Sequence, residues 1–324
     1  MKRKNIALIL LAVILTLTTS CGVSSSDKSA SKEESQSTDT ANEQITFTDD
    51  LDQEFTVDKP KRVVAMIGSF ADIWLLAGGE DSLVATANDA WESYELNLGE
   101  EVANIGSGMK PSAELVLEAQ PDLILASTIS SSNLDLKETF DKSKIPAAYF
   151  NVASFEDYLE LLELCTKLTG QDKNYETYGT KVKKQIEDAV AKQNKDAPKV
   201  LNLQVSGKSC TVKNSEDNVL GEMLAKLGCT NIADQNGALL EDLSLEAIIK
   251  ADPDYIFAVY HGTDTEGAQK NLEKNLLSNP AWSELRAVKE DRFYILDRRL
   301  YNLKPNALWG DAYEELSDIL YGEE

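Results

Sequence analysis

The sequence is short of the residues on which many kinds of site depend. Among its 324 residues there are four cysteines and one histidine. There is no Cys-x-x-Cys pair and no cluster of cysteine and histidine, which argues against a structural zinc site. A Gly-x-Ser-x-Gly elbow, a phosphate-binding loop and the spacings typical of metal ligands are also missing, so the sequence gives little support to an enzyme. An exported α/β enzyme is the alternative from another functional class.

Positive charge is scarce as well. The chain has 32 lysines and arginines against 55 aspartates and glutamates, a formal net charge of −23. A protein with this charge does not bind nucleic acid through a basic surface. We expect most of the acidic residues to form a solvated face that keeps the protein soluble.

Long apolar runs are limited to the N terminus. A basic start precedes the apolar residues 6–17, and small residues lead to Cys21. This pattern predicts a signal peptide over residues 1–20 and a lipidated Cys21, with ordinary secretion as the alternative. Residues 21–44 after the signal are polar and lack aromatic residues, so we expect a disordered tether. The predicted location is the outer face of the cytoplasmic membrane, with a lipid anchor.

The remaining chain, roughly 280 residues, alternates strand and helix patterns and is long enough for two lobes. The alternation predicts parallel sheets with helices on their faces. Residues 172–194 interrupt it with an apolar stripe at helical spacing, which predicts one long helix. The predicted fold is α/β, with two Rossmann-like lobes that have central parallel sheets, one long α-helix that joins them, and a ligand cleft between them. The predicted boundaries are 45–171 for the N-terminal lobe, 172–197 for the linking helix and 198–324 for the C-terminal lobe.

One helix-to-strand unit occurs twice. "SAELVLEAQPDLIL" (112–125) and "SLEAIIKADPDYIF" (244–257) align without a gap and keep a serine, a glutamate and a Pro-Asp pair. The serine is a predicted helix cap, and a glutamate in the first turn offsets the helix dipole by about 0.3–1 kcal/mol. That effect alone explains each glutamate. If a pseudo-twofold relates the lobes, Glu114 and Glu246 also form a symmetric pair that arginines of a dimeric partner can bind.

The loops after the predicted strands indicate where a ligand binds, because open parallel sheets bind ligands beyond the carboxyl ends of their strands. Two such lobes place the site in the cleft between them. Trp91 and Tyr260 are predicted to stack on a flat or macrocyclic ligand, and packing under a loop is the alternative for Trp91. His261 is of the right type for an axial haem ligand, and a plain hydrogen-bonding role is the alternative. The segment "IGSGMKPS" superficially resembles a nucleotide loop but lacks its third glycine, and we discount it.

Basic residues are grouped in the loops of the second lobe. Lys208, Arg298 and Arg299 are predicted to neutralise an anionic ligand. One of the two adjacent arginines is expected to point to solvent, because neighbours in an extended stretch face opposite ways. The full set of ligand-binding candidates is Ser69, Phe70, Asp89, Trp91, Thr128, Lys208, Tyr260, His261, Arg298, Arg299 and Tyr301.

The two copies of the repeated unit resemble segments of the helical-backbone class of substrate-binding proteins of ABC importers. Two further matching segments are "KRVVAMIGSFADIWLLAGGEDSLVAT" and "NPAWSELRAVKEDRFYILD", and the resemblance covers nearly all of residues 45–321. The resemblance implies capture of a metal chelate, a ferric siderophore first and cobalamin or haem as alternatives, without an intrinsic cofactor or a direct metal site. It implies a permease dimer with ATPase subunits as the partner, and arginines of that permease as the docking targets of Glu114 and Glu246. The long helix predicts a stiff hinge and a small closure on ligand.

Overall fold

The computed structural model describes residues 44–194, 197–216, 218–241 and 243–322. The predicted signal peptide, Cys21 and the predicted tether up to residue 43 lie outside these ranges. In the part of the chain that is described, no helix combines the length and the apolar character needed to cross a membrane.

The first lobe contains a five-stranded sheet in the order β5-β4-β3-β8-β9, and all of its strand pairs are parallel, as predicted. Two antiparallel hairpins, β1-β2 and β6-β7, accompany it. The strands are β1 (Ile45–Thr48), β2 (Glu54–Val57), β3 (Val63–Ala65), β4 (Leu83–Thr86), β5 (Ala103–Asn104), β6 (Gly106–Ser107), β7 (Lys110–Pro111), β8 (Leu123–Ser127) and β9 (Ala147–Phe150). The helices are α1 (Gly68–Leu76), a 3₁₀ turn (Glu80–Ser82), α2 (Asp89–Glu92), α3 (Ala113–Glu118), α4 (Ser131–Leu134), α5 (Lys137–Ser143) and α6 (Phe155–Thr169).

A continuous helical segment over residues 173–190 follows, where one long helix was predicted. It consists of α7 (Lys173–Tyr175), a π-helical turn (Glu176–Thr180) and α8 (Lys181–Val190). The hydroxyl of buried Tyr158 donates a hydrogen bond of 2.9 Å to the Tyr178 carbonyl inside the π turn. A side chain bonded to a ladder carbonyl is a known cause of such irregularities.

The second lobe contains a sheet in the order β11-β10-β13-β14, with β12 beside the start of β10. Its central pairs are parallel, but β11 runs antiparallel to β10, a strand that the sequence patterns did not predict. The strands are β10 (Lys199–Val205), β11 (Cys210–Lys213), β12 (Thr230–Asn231), β13 (Tyr255–Tyr260) and β14 (Phe293–Leu296). The helices are α9 (Val219–Lys226), α10 (Ala238–Glu241), α11 (Leu245–Ala251), α12 (Thr265–Leu272) with a π turn (Glu273–Leu277), a 3₁₀ turn (Trp282–Glu284), α13 (Arg286–Lys289), α14 (Arg298–Tyr301), a 3₁₀ turn (Asn306–Leu308) and α15 (Trp309–Tyr321).

A shared core lies between the two lobes. Successive strand residues alternate between this core and an outer cluster of their own lobe, because neighbouring side chains of a strand point to opposite faces. In the first lobe Leu125 faces the shared core and Ile124 the outer cluster, and in the second Phe257 and Ile256 divide in the same way. Trp309 of α15 packs into the shared core. Burial of apolar surface therefore joins the lobes in addition to the linking helix.

The repeated unit has the same structural contacts in both lobes. The serine before each helix caps it, since Ser112 Oγ accepts from the Leu115 amide and Ser244 Oγ from the Ala247 amide, at 3.3 and 3.2 Å. The aspartate of each Pro-Asp pair accepts from the backbone at the start of the neighbouring strand.

In the first lobe Asp122 accepts from Lys61 and Arg62, at 2.8 and 3.0 Å. In the second lobe Asp254 accepts from Lys199 at 2.7 Å. Each aspartate therefore fixes the position of its own strand relative to the next one, which explains its recurrence.

Candidate functional site

The loops that follow β4 and β14 face each other across the junction of the lobes. Arg298, two residues after β14, donates from both terminal nitrogens to Ser93 Oγ of the first lobe, at 3.4 and 3.3 Å. Ser93 follows α2, the one-turn helix that begins shortly after β4. The carboxyl ends of the two sheets therefore meet here, at the cleft that the sequence predicts.

Arg299 makes a denser set of contacts with the first lobe. Its Nη2 lies 3.0 Å from Asp72 Oδ2 on α1, and its guanidinium carbon lies 4.4 Å from the centroid of the Tyr94 ring. The Asn306 amide donates to the same Asp72 oxygen at 2.8 Å. Burial raises the pKa of the Asp72 carboxyl, while Asn306 and Arg299 act in the lowering direction. Arg299 therefore connects the lobes, and its contacts leave it little freedom to bind a ligand.

Neither arginine points to solvent, so the expectation of one outward arginine is wrong. Both are half-buried. The segment is a helical turn, α14, whose start is capped by Asp297, and not an extended stretch. Consecutive side chains on a helix are about 100° apart, which directs both guanidinium groups toward the first lobe.

Three predicted candidates lie in the protein interior. The Phe70 and Tyr301 side chains are 0% exposed, and Ser69 is 3% exposed. The Tyr301 hydroxyl is hydrogen-bonded to the Ala312 carbonyl and to Glu315, at 3.1 and 2.9 Å. These side chains contribute to the core and are not available to a ligand in this conformation.

The first-lobe side of the cleft contains Asp89 and Trp91. Asp89 Oδ2 accepts from the Gly68 amide at 3.0 Å, while its buried Oδ1 has no hydrogen-bond partner among the described residues. Burial raises the pKa of the Asp89 carboxyl. Gly68 is required here, because a Cβ at that position would lie 2.6 Å from the Ala90 nitrogen. Trp91 is half-buried and packs its ring against the shared core.

Thr128 lies at the end of β8 but lines a different cavity. This cavity has a volume of about 630 Å³ between the β1-β2 hairpin and α6, and every residue that lines it belongs to the first lobe. Its walls include Asp50, Glu160 and Glu163. The structure therefore does not bring Thr128 together with the candidates of the second lobe in this cavity.

Met109 and Ile129 lie in loops at the carboxyl edge of the first sheet. The loop of Ile129 was predicted to face the ligand, but neither residue was named as a candidate. Met109 is 88% exposed in the turn between β6 and β7, and Ile129 is 59% exposed after β8. Ser132 Oγ donates to the Gly108 carbonyl at 3.0 Å and so joins these two loops. A Cβ at Gly108 would have Asp89 Oδ1 as its nearest atom, at 3.6 Å, which places the turn at the carboxyl edge of the sheet. The sequence signal for Met109 was a large apolar residue at the apex of a glycine-rich turn. That turn belongs to the segment "IGSGMKPS", which we discounted as a nucleotide loop.

The second-lobe side of the cleft contains His261, directly after β13. Its ring is exposed, and its Nδ1 lies 3.2 Å from Asn302 Oδ1. Gln204 Nε2 donates to the same oxygen at 2.8 Å and fixes it as an acceptor. In the neutral imidazole this acceptor places the proton on Nδ1, and Nε2, which makes no hydrogen bond within the described residues, keeps its lone pair. Tyr260 beside it is half-buried, which raises the pKa of its hydroxyl, and Lys208 is exposed in the turn after β10.

Glu114 and Glu246 are both exposed in the first turns of α3 and α11. Within the described residues neither carboxylate makes a hydrogen bond or an ion pair. A cavity of about 630 Å³ lies beside Glu246, and Ile232, Ala247 and Lys250 are among the residues that line it. Of the serine, glutamate and aspartate that the two copies share, the glutamates are therefore the ones without a polar side-chain contact within the described residues.

The sequence argues against a structural zinc site and leaves open whether Cys210 and Cys229 pair. Over the described ranges, no group of three or more His, Cys, Asp or Glu side chains is placed to hold a metal ion. Cys165, Cys210 and Cys229 are all free thiols.

Comparison with known proteins gives consistent matches. A family model described as periplasmic binding protein matches residues 63–300. The chain is 26% identical over 327 residues to the iron-uptake system-binding protein of Bacillus subtilis, covering 97% of this chain and 96% of that one. It is 27% identical over 232 residues to the high-affinity heme uptake system protein IsdE of Staphylococcus aureus, covering 69% and 76%. The crystal structure of the petrobactin-binding protein YclQ from Bacillus subtilis has the same fold, with a TM-score of 0.67, 21% identity and coverage of 86% and 98%.

Proposed function

Because this chain belongs to the periplasmic binding protein family, we propose that it is the extracytoplasmic substrate-binding lipoprotein of an ABC importer and captures an iron chelate between its lobes. The relatives named for iron uptake and heme uptake support this cargo class. The proposed role is capture and delivery without chemistry. The partners are a permease dimer with its ATPase subunits, and Cys21 is the proposed membrane anchor.

The observation that carries the choice of cargo is His261 with its free Nε2. Haem iron accepts axial ligands from protein side chains, and a histidine with a methionine is an established pair. Met109, the most exposed of the large apolar side chains in the described chain, lies on the carboxyl edge of the opposite lobe. We therefore place haem first, with His261 and Met109 as its proposed iron ligands and Trp91 and Tyr260 as its proposed stacking neighbours.

A ferric siderophore is the second candidate cargo. The sequence favours it because basic residues are grouped in the second lobe, but Arg299 is already paired with Asp72. Of the three basic residues that the sequence assigned to an anionic ligand, Lys208 and Arg298 remain. Two cations support a ferric siderophore less strongly than three.

Titration of the purified protein distinguishes these cargos. We expect haem to quench the tryptophan fluorescence and to show a shifted Soret band, and ferric siderophores and cobalamin to bind more weakly. Replacing His261 or Met109 by alanine is expected to weaken haem binding about tenfold or more, a change of at least about 1.4 kcal/mol. Metal-free protoporphyrin is the control, because its binding does not depend on an axial ligand and should be equal in all three proteins. Tight siderophore binding without haem binding would replace haem by the second candidate.

The exposed glutamate pair supports the proposed delivery step. A carboxylate without an internal partner is free to form charge-assisted bonds with an arginine of another protein. Glu114 and Glu246 stand at matching positions of the two lobes, and we propose that each docks on one permease subunit. The shared core supports the further expectation that the lobes close only slightly on ligand.

A further inference from the structure

We propose that the surfaces around Glu114 and Glu246 have opposite shapes, so that the chain docks on its permease in one orientation only. The cavity beside Glu246, termed the α11 groove, receives an apolar side chain of one permease subunit. Leu115, beside Glu114, projects into a recess of the other subunit. This inference rests on the proposed function, and it adds an orientation that two matching glutamates do not provide.

Leu115 and Ala247 occupy the same position in the two copies of the repeated unit. Each follows the glutamate directly, and each donates its backbone amide to the serine that caps the helix, at 3.3 and 3.2 Å. Leu115 is 39% exposed, whereas Ala247 is half-buried and lines a cavity of about 630 Å³. The first lobe therefore presents a large apolar side chain at the position where the second lobe has a hollow.

The α11 groove has an apolar lining. Ile232 is 7% exposed and belongs to the outer cluster of the second lobe, and Ala247 and Ala251 pack against that cluster. The volume of the groove lies in the range of cavities that hold small ligands, so it is large enough for an amino-acid side chain. Burial of an apolar side chain there removes it from water and adds affinity that Glu246 alone does not supply.

The charged residues that line the α11 groove give it a polarity. Lys250 lies one helical turn, about 6 Å, further along α11 than Glu246, and Lys199 begins β10 beside it. Among the described residues neither lysine ammonium group forms an ion pair. A segment with an arginine for Glu246, an apolar side chain for the groove and a carboxylate for the lysines complements this arrangement. We therefore assign the groove to a permease segment of that composition.

The difference between the two surfaces has a consequence for the permease subunits. A homodimer with a twofold axis presents the same surface to both lobes, and one surface does not fit both a projection and a hollow. The permease subunits then have arginines at matching positions but differ beside them, with a recess that faces Leu115 and an apolar side chain that faces Ala247. Two related but non-identical subunits meet this requirement.

The first test is Ala247→Leu, which places the side chain of the first lobe in the α11 groove. We expect uptake of ⁵⁵Fe-labelled haem or ferric citrate, whichever the unmodified protein delivers, to fall about tenfold, because overfilling a packed contact is destabilising. The dissociation constant of the same ligand should not change, because the groove is separate from the cleft. Ala191→Leu is the matched control, since Ala191 is an exposed alanine directly after α8 and should tolerate the change. Melting temperatures establish that both variants are folded.

A second test reverses a charge without filling the groove. Lys250→Glu should slow uptake severalfold, because it places a second carboxylate beside Glu246 and repels the acidic group of the partner. Lys274→Glu, at an exposed lysine of the π turn after α12, should leave uptake normal. Equal uptake in these two variants would overturn the predicted charge contact.

Photo-cross-linking in intact cells tests the orientation without reference to the cargo. A photoreactive side chain is placed at Leu115 in one variant and at Gln235, on the exposed rim of the α11 groove, in another. We expect mass spectrometry to identify one permease subunit from the first position and a different subunit from the second. Capture of the same polypeptide from both positions would overturn docking in a single orientation.

Failure of this inference is distinguishable from failure of the proposed function. Normal uptake in Ala247→Leu, together with lost uptake in the double variant Glu114→Ala, Glu246→Ala, would overturn the role of the groove and keep the docking glutamates. Normal uptake in that double variant, or delivery of neither labelled probe by the unmodified protein, would overturn the proposed function and this inference with it.

Discussion

The two lobes are alike in the unit that precedes their central strands and different in the loops that follow those strands. Both have a serine cap, an exposed glutamate and an aspartate that binds the neighbouring strand. At the cleft, the first lobe presents Met109 and Ile129 while the second presents His261 and Arg298. The repeated unit serves two requirements that are the same for both lobes, namely folding and the proposed contact with a symmetric partner. The loops that follow the central strands differ between the lobes, as expected for a ligand with two different faces.

The largest expected effect tests the repeated unit. Replacing Glu114 and Glu246 together by alanine should abolish uptake of ⁵⁵Fe-labelled chelate by cells, because both contacts to the permease are lost. Binding of the chelate to the purified variant should stay normal, since neither side chain lies in the cleft. The measurement is the uptake rate set beside the dissociation constant of the same variant.

Glu118→Ala is the matched control for this experiment. Glu118 is exposed on α3 like Glu114 but occurs at its last residue, away from the first turn. It should leave uptake unchanged. Normal uptake in the double variant would show that the symmetric glutamates do not dock, and the likeness of the lobes would then have a structural origin only.

A smaller effect is expected at the contact between the lobes. Asp72→Ala should lower the free energy of unfolding by about 3 kcal/mol, because it leaves the Arg299 guanidinium buried without its anion. The two side chains are 13% and 22% exposed, so solvent screens the pair only weakly. Urea unfolding followed by tryptophan fluorescence measures the change.

The double variant Asp72→Leu, Arg299→Met is the informative comparison for this pair. A buried ion pair replaced by apolar side chains is often close to neutral. We expect it to regain most of the lost stability, with uptake retained. A loss as large as that of Asp72→Ala would indicate that the pair has a specific role beyond mutual neutralisation.

The smallest expected effects are differences in stability between aspartate and glutamate variants of the repeated unit. Asp122→Ala and Asp254→Ala should each cost about 1–2 kcal/mol of stability, because each removes charge-assisted bonds to the backbone of the neighbouring strand. Glu114→Ala and Glu246→Ala should cost no more than about 0.3–1 kcal/mol, the contribution of the helix dipole. Thermal unfolding of the four single variants gives both differences. Equal costs for aspartates and glutamates would remove the distinction between folding and docking residues.

The order of strands and helices was predictable because each element has its own apolar period. The long helix predicted over residues 172–194 corresponds to the helical segment over residues 173–190. β11 (Cys210–Lys213) was missed because it pairs antiparallel with β10 and so lies outside the alternation of strands and helices on which the prediction rested. Local patterns are therefore sufficient for the fold class, as the match to two-lobed proteins confirms.

The candidate site was harder to predict because its contacts join distant parts of the chain. Arg299 was assigned to the ligand, but its partner Asp72 lies 227 residues away in sequence. Phe70 has an aromatic ring in a loop-like position, and only the structure shows it enclosed by the core. Met109 was overlooked for the opposite reason: its side chain is exposed, and a sequence does not show which methionine is exposed. The role of each predicted ligand contact stays a prediction until binding is measured.

The shared core also determines how the protein is expected to lose its structure. Phe150 of the first sheet and Phe257 of the second belong to the same buried cluster, so separating the lobes would expose both to water. After separation each lobe would keep only its own outer cluster. Heating should accordingly produce one calorimetric transition with equal van't Hoff and calorimetric enthalpies, as for a single cooperative unit. A gene cut at the linking helix would yield two aggregating fragments and not two domains.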